Sequence, residues 1–167
     1  MTKKEDLLLK KEILNGLTAR SFNLLNNLEI KNQTDSTNDD AKESLKKPHI
    51  KLSAHMAEQQ NSGRGRNNRK WVSPFGQNIY LSLAWRSNLT FSDIEGLSLA
   101  IGVQVAESLE ELTKEKIKIK WPNDLLINEK KLGGILIETS SDGKDALEII
   151  IGIGINVFMQ NKDTNEI

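Results

Sequence analysis

The stretch Ile117-Lys118-Ile119-Lys120-Trp121-Pro122-Asn123-Asp124-Leu125-Leu126-Ile127-Asn128-Glu129-Lys130-Lys131-Leu132-Gly133-Gly134-Ile135-Leu136-Ile137 is where the fold class is decided. Ile117, Ile119 and Trp121 alternate with Lys118 and Lys120, the period of two that marks a strand with one wet face. Pro122-Asn123-Asp124 turns the chain into a second short strand, Leu125 to Ile127. Asn128-Glu129-Lys130 then makes a hairpin-like turn into Lys131 to Glu138. Strands arriving as hairpins argue for an α+β fold with a mixed, mostly antiparallel sheet flanked by helices, and against a doubly wound βαβ array.

Downstream, Ser140 to Lys144 reads as a turn and Leu147 to Val157 as the last strand. Upstream, Leu97, Ile101, Val105 and Leu109 recur at four-residue steps, which predicts a helix from Ile94 to about Leu112 capped by Ser92 or Asp93. Asn78 to Trp85 reads as a buried strand, Ile50 to Ala57 is strand-like, and Glu58 to Lys70 is a polar loop with two glycines. Asp35-Ser36-Thr37-Asn38 offers an N-cap for a helix over Asp39 to Lys47, closed by Pro48. A strand at Leu28 to Lys31 precedes it, after two short helices at Asp6 to Leu14 and Ala19 to Leu28, separated at Gly16. No repeat or interdomain linker interrupts the 167 residues, so one domain is expected.

Lys plus Arg and Asp plus Glu each number 23, and the formal net charge is zero. That balance speaks against a polyanion-coating protein. There is no cysteine, which removes disulfides, thiolate nucleophiles and cysteine zinc sites, and suits a reducing cytoplasm. No secretory leader pattern and no apolar run of about 20 residues is present, so a soluble cytoplasmic protein is expected.

Neutrality hides a local asymmetry. From Gln59 to Ser92 there is no acidic residue, while Arg64, Arg66, Arg69, Lys70 and Arg86 all lie there, with five of the eight aromatics: Trp71, Phe75, Tyr80, Trp85 and Phe91. Gly63-Arg64-Gly65-Arg66 followed by Arg69 can bring guanidinium forks and backbone amides onto one anion. Three readings stay open: a solvated basic loop, a single-stranded nucleic-acid patch, and a site for a small anionic ligand. The third gains weight from Lys120 and Lys131, which flank the Trp121-Pro122-Asn123-Asp124 turn. Asp124 is a candidate Mg²⁺ ligand and equally a turn residue bonding its own backbone. Gly152-Ile153-Gly154 opens like a dinucleotide fingerprint, but Val157 stands where a third glycine belongs. His49 and His55 have no metal-ligand spacing and read as structural. Ser73 and Ser82 have no recognisable His-Asp partners.

Asp35-Ser36-Thr37-Asn38, then Glu58 to Arg66 with Arg69-Lys70-Trp71 and Ser73-Pro74-Phe75-Gly76, then Lys120 to Asp124, Lys130 to Leu136, and Gly152-Ile153-Gly154-Ile155-Asn156 together resemble the motif series of biotin-protein ligases, in the family's order. The resemblance runs from about Leu8 to the end. It implies a class II synthetase-like catalytic domain that joins biotin to ATP as biotinyl-5'-AMP, with Mg²⁺. The biotinyl group then passes to a lysine of a biotin carboxyl carrier domain, as in acetyl-CoA carboxylase.

By that resemblance Ser36, Thr37, Asn38, Gln60 and Arg64 meet biotin, whose pocket Gly133, Gly134, Ile135 and Leu136 line. Arg66 and Lys131 hold the carboxylate and later the acyl phosphate, and with Asp124 form the catalytic set. Arg66, Arg69, Trp71, Asn123 and Asn156 bind the nucleotide, and Asp124 takes the metal. The resemblance also implies that residues 1–34 are linker-like helices and a first strand, and 35–167 an incomplete catalytic core without an N-terminal DNA-binding domain. A binding module without catalysis and a lipoate or octanoate ligase of the same superfamily are the alternatives. No nucleic-acid or membrane partner is expected, and a homodimer is open. Asn68 departs from the pattern, standing where many relatives carry glycine.

Overall fold

The computed structural model describes residues 7–141 and 146–158. Two short helices, α1 (Lys10–Gly16) and α2 (Ala19–Leu24), lead into β1 (Asn27–Lys31). The Thr18 hydroxyl caps α2 by accepting from the Ser21 N–H at 3.1 Å. α2 stops before Leu28 because the chain there joins the sheet, and Asn26 Oδ1 accepts from the Lys51 and Leu52 amides, both at 2.8 Å. The start expected for the first helix, Asp6, lies outside the described residues.

α3 (Thr37–Ser44), β2 (Leu52–Ala57) and β3 (Asn78–Ser87) follow. α4 (Leu97–Thr113) then leads into β4 (Ile117–Lys120), β5 (Asp124–Ile127), β6 (Lys130–Ser141) and β7 (Leu147–Asn156). The strand order among the described residues is β1-β2-β3-β7-β6-β5-β4, with β1 parallel to β2 and every other pairing antiparallel. The mixed, mostly antiparallel sheet is therefore present. The expected turn after Ser140 is displaced: β6 continues through Ser141, and residues 142–145 lie outside the described set.

β7, last in the chain, sits between β3 and β6. Ile149, Ile150 and Ile151 are all buried, as expected of a strand covered on both faces. The period of two sorts them. Ile150 packs with Ala84 of β3, Ala41 of α3 and Leu45 just after that helix. Ile149 and Ile151 pack with Ile135 of β6 and with Leu97 and Ile101 of α4. α3 and α4 thus cover opposite faces. β4 forms one edge, where exposed Lys118 and Lys120 discourage further strand pairing.

Two helix starts differ from expectation. α4 begins at Leu97, after Gly96 in the left-handed region at φ 81°. The Asp93 carboxylate is used earlier, accepting from both the amide and the hydroxyl of Thr90 at 2.8 Å, which closes a separate short turn. α3 begins at Thr37, two residues ahead of Asp39, because the Gln60 Oε1 accepts the Thr37 N–H at 2.9 Å. A side chain from another segment supplies the cap that the local sequence was expected to provide. Among the described residues no helix is long and apolar enough to cross a membrane.

Candidate active site

The α3 face of the sheet is not fully covered, and a cleft of about 590 Å³ opens there. Its floor comes from cross-strand rows. Gly134, Gly154 and Tyr80 are opposite one another on β6, β7 and β3, and Leu136, Gly152 and Ser82 form the next row. Gly152 and Gly154 are two apart, so both face the cleft. A Cβ on Gly152 would run into the Asn38 amide, and one on Gly154 would lie 2.7 Å from the Trp71 ring. The Gly-Ile-Gly pair, which looks like part of a dinucleotide motif, is in fact where Asn38 and Trp71 lie against β7. These two side chains are held about 7 Å apart along the strand.

Around Asn38 the cleft is neutral and dense in hydrogen bonds. Ser36, Thr37, Asn38 and Ser82 are buried. The Ser82 hydroxyl reaches Asn38 Oδ1 at 2.6 Å and Thr37 Oγ1 at 2.8 Å. Thr37 Oγ1 donates to Gln60 Oε1 at 3.1 Å, and Gln60 Nε2 donates to Ser73 Oγ at the same distance. Beneath them, burial pushes the Tyr80 hydroxyl up to about 12.

Around Trp71 the cleft is cationic. Arg66, Arg69, Lys70, Lys120 and Lys131 line it, and Asp124 is the one carboxylate among the described lining residues. Lys131 Nζ lies 3.2 Å from Asp124 Oδ1 and 5.2 Å from the centre of the Trp71 ring. Arg66 and Arg69 are exposed and form no ion pair among the described residues. Asn67 and Asn68 in their loop both have φ 56°. Glycine occupies this left-handed conformation freely, and asparagine tolerates it better than most residues, which accounts for Asn68 at that position.

Of the residues expected at the site, Ser36, Thr37, Asn38, Gln60, Arg64, Arg66, Arg69, Trp71, Asn123, Asp124, Lys131 and Gly134 all line this one cleft. Three expectations change. Gly133 is not among the lining residues: its Cβ position points at Gly154 O and Ile155 Cδ1, because successive residues of a strand face opposite ways. Ile135 and Leu136 do line the cleft, although the Ile135 side chain also packs in the cluster under α4. Asn156 is also outside the lining. Its Nδ2 donates to Lys131 O at 3.4 Å, and its Oδ1 is buried with no partner among the described residues. Arg64 lines the cleft with its charge already engaged. It makes a two-pronged pair with Asp39, at 2.9 and 2.7 Å, and a second with Glu138, at 3.0 and 2.9 Å. Hydrogen bonds to Asp39 and then Glu138 raise its pKa further. Glu138 carried no signal in the sequence, because its contacts to Arg64 and Asn38 span 74 and 100 residues.

No group of three or more His, Cys, Asp or Glu side chains able to hold a metal occurs among the described residues. Asp124 alone suits Mg²⁺ only in the form in which that ion accompanies a nucleotide, with phosphate oxygens completing its shell.

The mixed seven-stranded sheet flanked by helices matches the catalytic domains of biotin protein ligases of known structure. The structure resembles that of the Leishmania major biotin protein ligase in complex with biotinyl-5-AMP, with TM-score 0.68 and 31% identity over 83% of this chain and 61% of that one. It also resembles the Aquifex aeolicus enzyme in complex with biotin and ATP, with TM-score 0.66 and 36% identity over 84% of this chain and 58% of that one. In sequence, 107 residues are 50% identical to the bifunctional ligase/repressor BirA of Escherichia coli, covering 64% of this chain and 33% of that protein. The chain thus spans less than two thirds of the length of each. The pattern of the biotin/lipoate A/B protein ligase family matches residues 30–156, and the chain belongs to that family.

Proposed function

We propose that this chain catalyses ATP-dependent ligation of biotin to a lysine of a biotin carboxyl carrier domain, through biotinyl-5'-AMP, in the cytoplasm. The observation that carries the reading is the division of one cleft into a neutral hydrogen-bonding half over Gly152 and a cationic, Trp-walled half over Gly154. Biotin has that polarity, with a ureido head and a carboxylate tail, and the cleft volume suits a ligand of adenylate size.

In the first step a biotin carboxylate oxygen attacks the α-phosphorus of ATP. An acyl–oxygen–phosphorus linkage forms, and pyrophosphate leaves with the electrons of the broken bond. The carboxylate is already ionised, so no general base is needed, and fixed positive charge and positioning supply the acceleration. Lys131 and Arg66 provide that charge, with Arg69 toward the departing phosphates. Trp71 packs on the adenine and Asn123 assists at the nucleotide; Asn156, outside the lining, would accept from the adenine amino group only by turning its buried Oδ1 toward the cleft. Asp124 would hold the Mg²⁺ that accompanies ATP, which would offset phosphate charge there.

In the second step the carrier lysine amine attacks the acyl carbon, AMP leaves and an amide remains. Asp124, the one carboxylate among the described lining residues, is a candidate to accept the proton, although Lys131 at 3.2 Å already engages it. The test is biotin-dependent exchange of labelled pyrophosphate into ATP. Folded protein without exchange removes the catalytic reading, and calorimetric biotin binding without exchange leaves a binding module. Competition by lipoate in place of biotin would assign the chain to the other branch of the superfamily.

A further inference from the structure

The Glu138 carboxylate is the meeting point of three donors: Asn38 Nδ2 at 2.7 Å, Arg64 Nε at 3.0 Å and Arg64 Nη2 at 2.9 Å. An ionised carboxylate only accepts, so the Asn38 amide must turn its NH₂ toward Glu138. Its Oδ1 is thereby aimed at Ser82 Oγ, 2.6 Å away. Asn38 and Ser82 are 5% and 0% exposed, so water is not at hand to compensate a wrong orientation. From Ser82 the hydrogen bonds run on through Thr37 to Gln60.

We propose that Glu138 is a positioning residue: by fixing which way the Asn38 amide faces, it sets the donor and acceptor pattern that the neutral half of the cleft presents to its ligand. The proposal rests on biotin being that ligand. A ureido group carries two N–H donors and one carbonyl acceptor in a fixed plane, and an inverted amide at the site opposes donor to donor or acceptor to acceptor. Arg64 extends the effect, since the same carboxylate ties the loop carrying Arg66 to α3. Glutamine at 138 has nearly the same shape but can present its own NH₂ to Asn38, which frees the amide to turn over.

The experiment is calorimetric titration of biotin, and separately of a non-hydrolysable ATP analogue, into the full chain. Glu138→Gln is expected to weaken biotin binding about tenfold, the loss typical of one hydrogen bond to a charged group, and to leave the ATP analogue within about twofold of wild type. Asp39→Asn takes away the other carboxylate partner of Arg64 without touching Asn38, and is expected to leave biotin binding within about twofold. Unchanged biotin binding in Glu138→Gln, or an equal loss in Asp39→Asn, overturns the proposal. If Glu138→Gln does not fold, Ser82→Ala breaks the same chain one bond further on. A loss of biotin affinity of about tenfold is then expected, and wild-type affinity there overturns the proposal. Folded wild-type protein that binds no biotin overturns the ligand reading itself, and the proposal with it.

Discussion

Lys131 Nζ stands 3.2 Å from Asp124 Oδ1 and faces the Trp71 ring, so a single ammonium is shared between a carboxylate and an aromatic face. Both partners hold the cation at the wall of the cleft, and in the proposed reaction it would meet the charge that develops during acyl-phosphate formation. Replacing it by an uncharged side chain of similar length removes that stabilisation and leaves Asp124 uncompensated.

Lys131→Met is therefore expected to lower biotin-dependent pyrophosphate exchange by about 10²- to 10³-fold, the loss typical of removing one preorganised charge donor. Arg66→Gly is expected to release free adenylate, because the cation proposed to hold the acyl phosphate is lost. Chromatographic detection of biotinyl-5'-AMP in solution checks the second outcome. Its absence, with exchange intact, would show that Arg66 does not retain the intermediate.

The two cleft glycines predict separable defects. Gly154→Ala forces the Trp71 ring to move and is expected to raise the KM for ATP about tenfold with a smaller effect on biotin. Gly152→Ala displaces Asn38 and reverses that pattern. Steady-state kinetics with each substrate varied in turn distinguishes the two, and identical profiles would contradict the division of the cleft.

His55 is 2% exposed on β2, and neither ring nitrogen has a hydrogen-bond partner among the described residues. Burial lowers its pKa below the ordinary 6.5, opposed by the Glu29 and Asp40 carboxylates and reinforced by Lys31 and Lys47. Below the ordinary value the unfolded chain takes up a proton that the folded chain refuses. This contribution to stability is thus complete above about pH 6.5 and falls as the pH drops toward the folded value. Urea unfolding from about pH 8 to about pH 5.5 should show a declining midpoint that His55→Gln flattens. An equal slope in the variant would assign the acid sensitivity to other groups.

Leu125 is fully buried and packs with Ala106, Ile117 and Ile155 between α4 and the sheet. Leu125→Ala is expected to cost about 2 to 5 kcal/mol, through lost transfer energy and a residual cavity. Leu112→Ala, at a side chain 79% exposed on the same helix, should stay within about 0.5 kcal/mol of wild type. Denaturant melts compare the two.

What could be read from residue order alone was whatever repeats over short distances. The alternation of Ile117 to Lys120, the turns at Asn123 and Glu129, and the four-step spacing from Leu97 to Leu109 report local periodicity, and the structure has a strand, turns and a helix there. Trp121, read as the strand's next buried position, instead falls in the turn and is 76% exposed. The motif series carried the site further, because residues expected from separate segments now line one cleft. Local reading failed where a distant side chain overrode it. Gln60 moved the start of α3, Asp93 closed its own turn and left Gly96 before α4, and Asp39 with Glu138 engaged the Arg64 charge expected to face biotin.

Sequence by itself therefore determined the α+β class, the identity of the cleft residues and the family, since these depend on periods of two and 3.6 and on the order of motifs. Tertiary structure decided which glycines face the cleft, which arginines keep a charge to offer and which way the Asn38 amide points. Those properties follow from strand register and from hydrogen bonds between residues up to 100 positions apart, whose energies exist only once the sheet has brought the partners within about 3 Å.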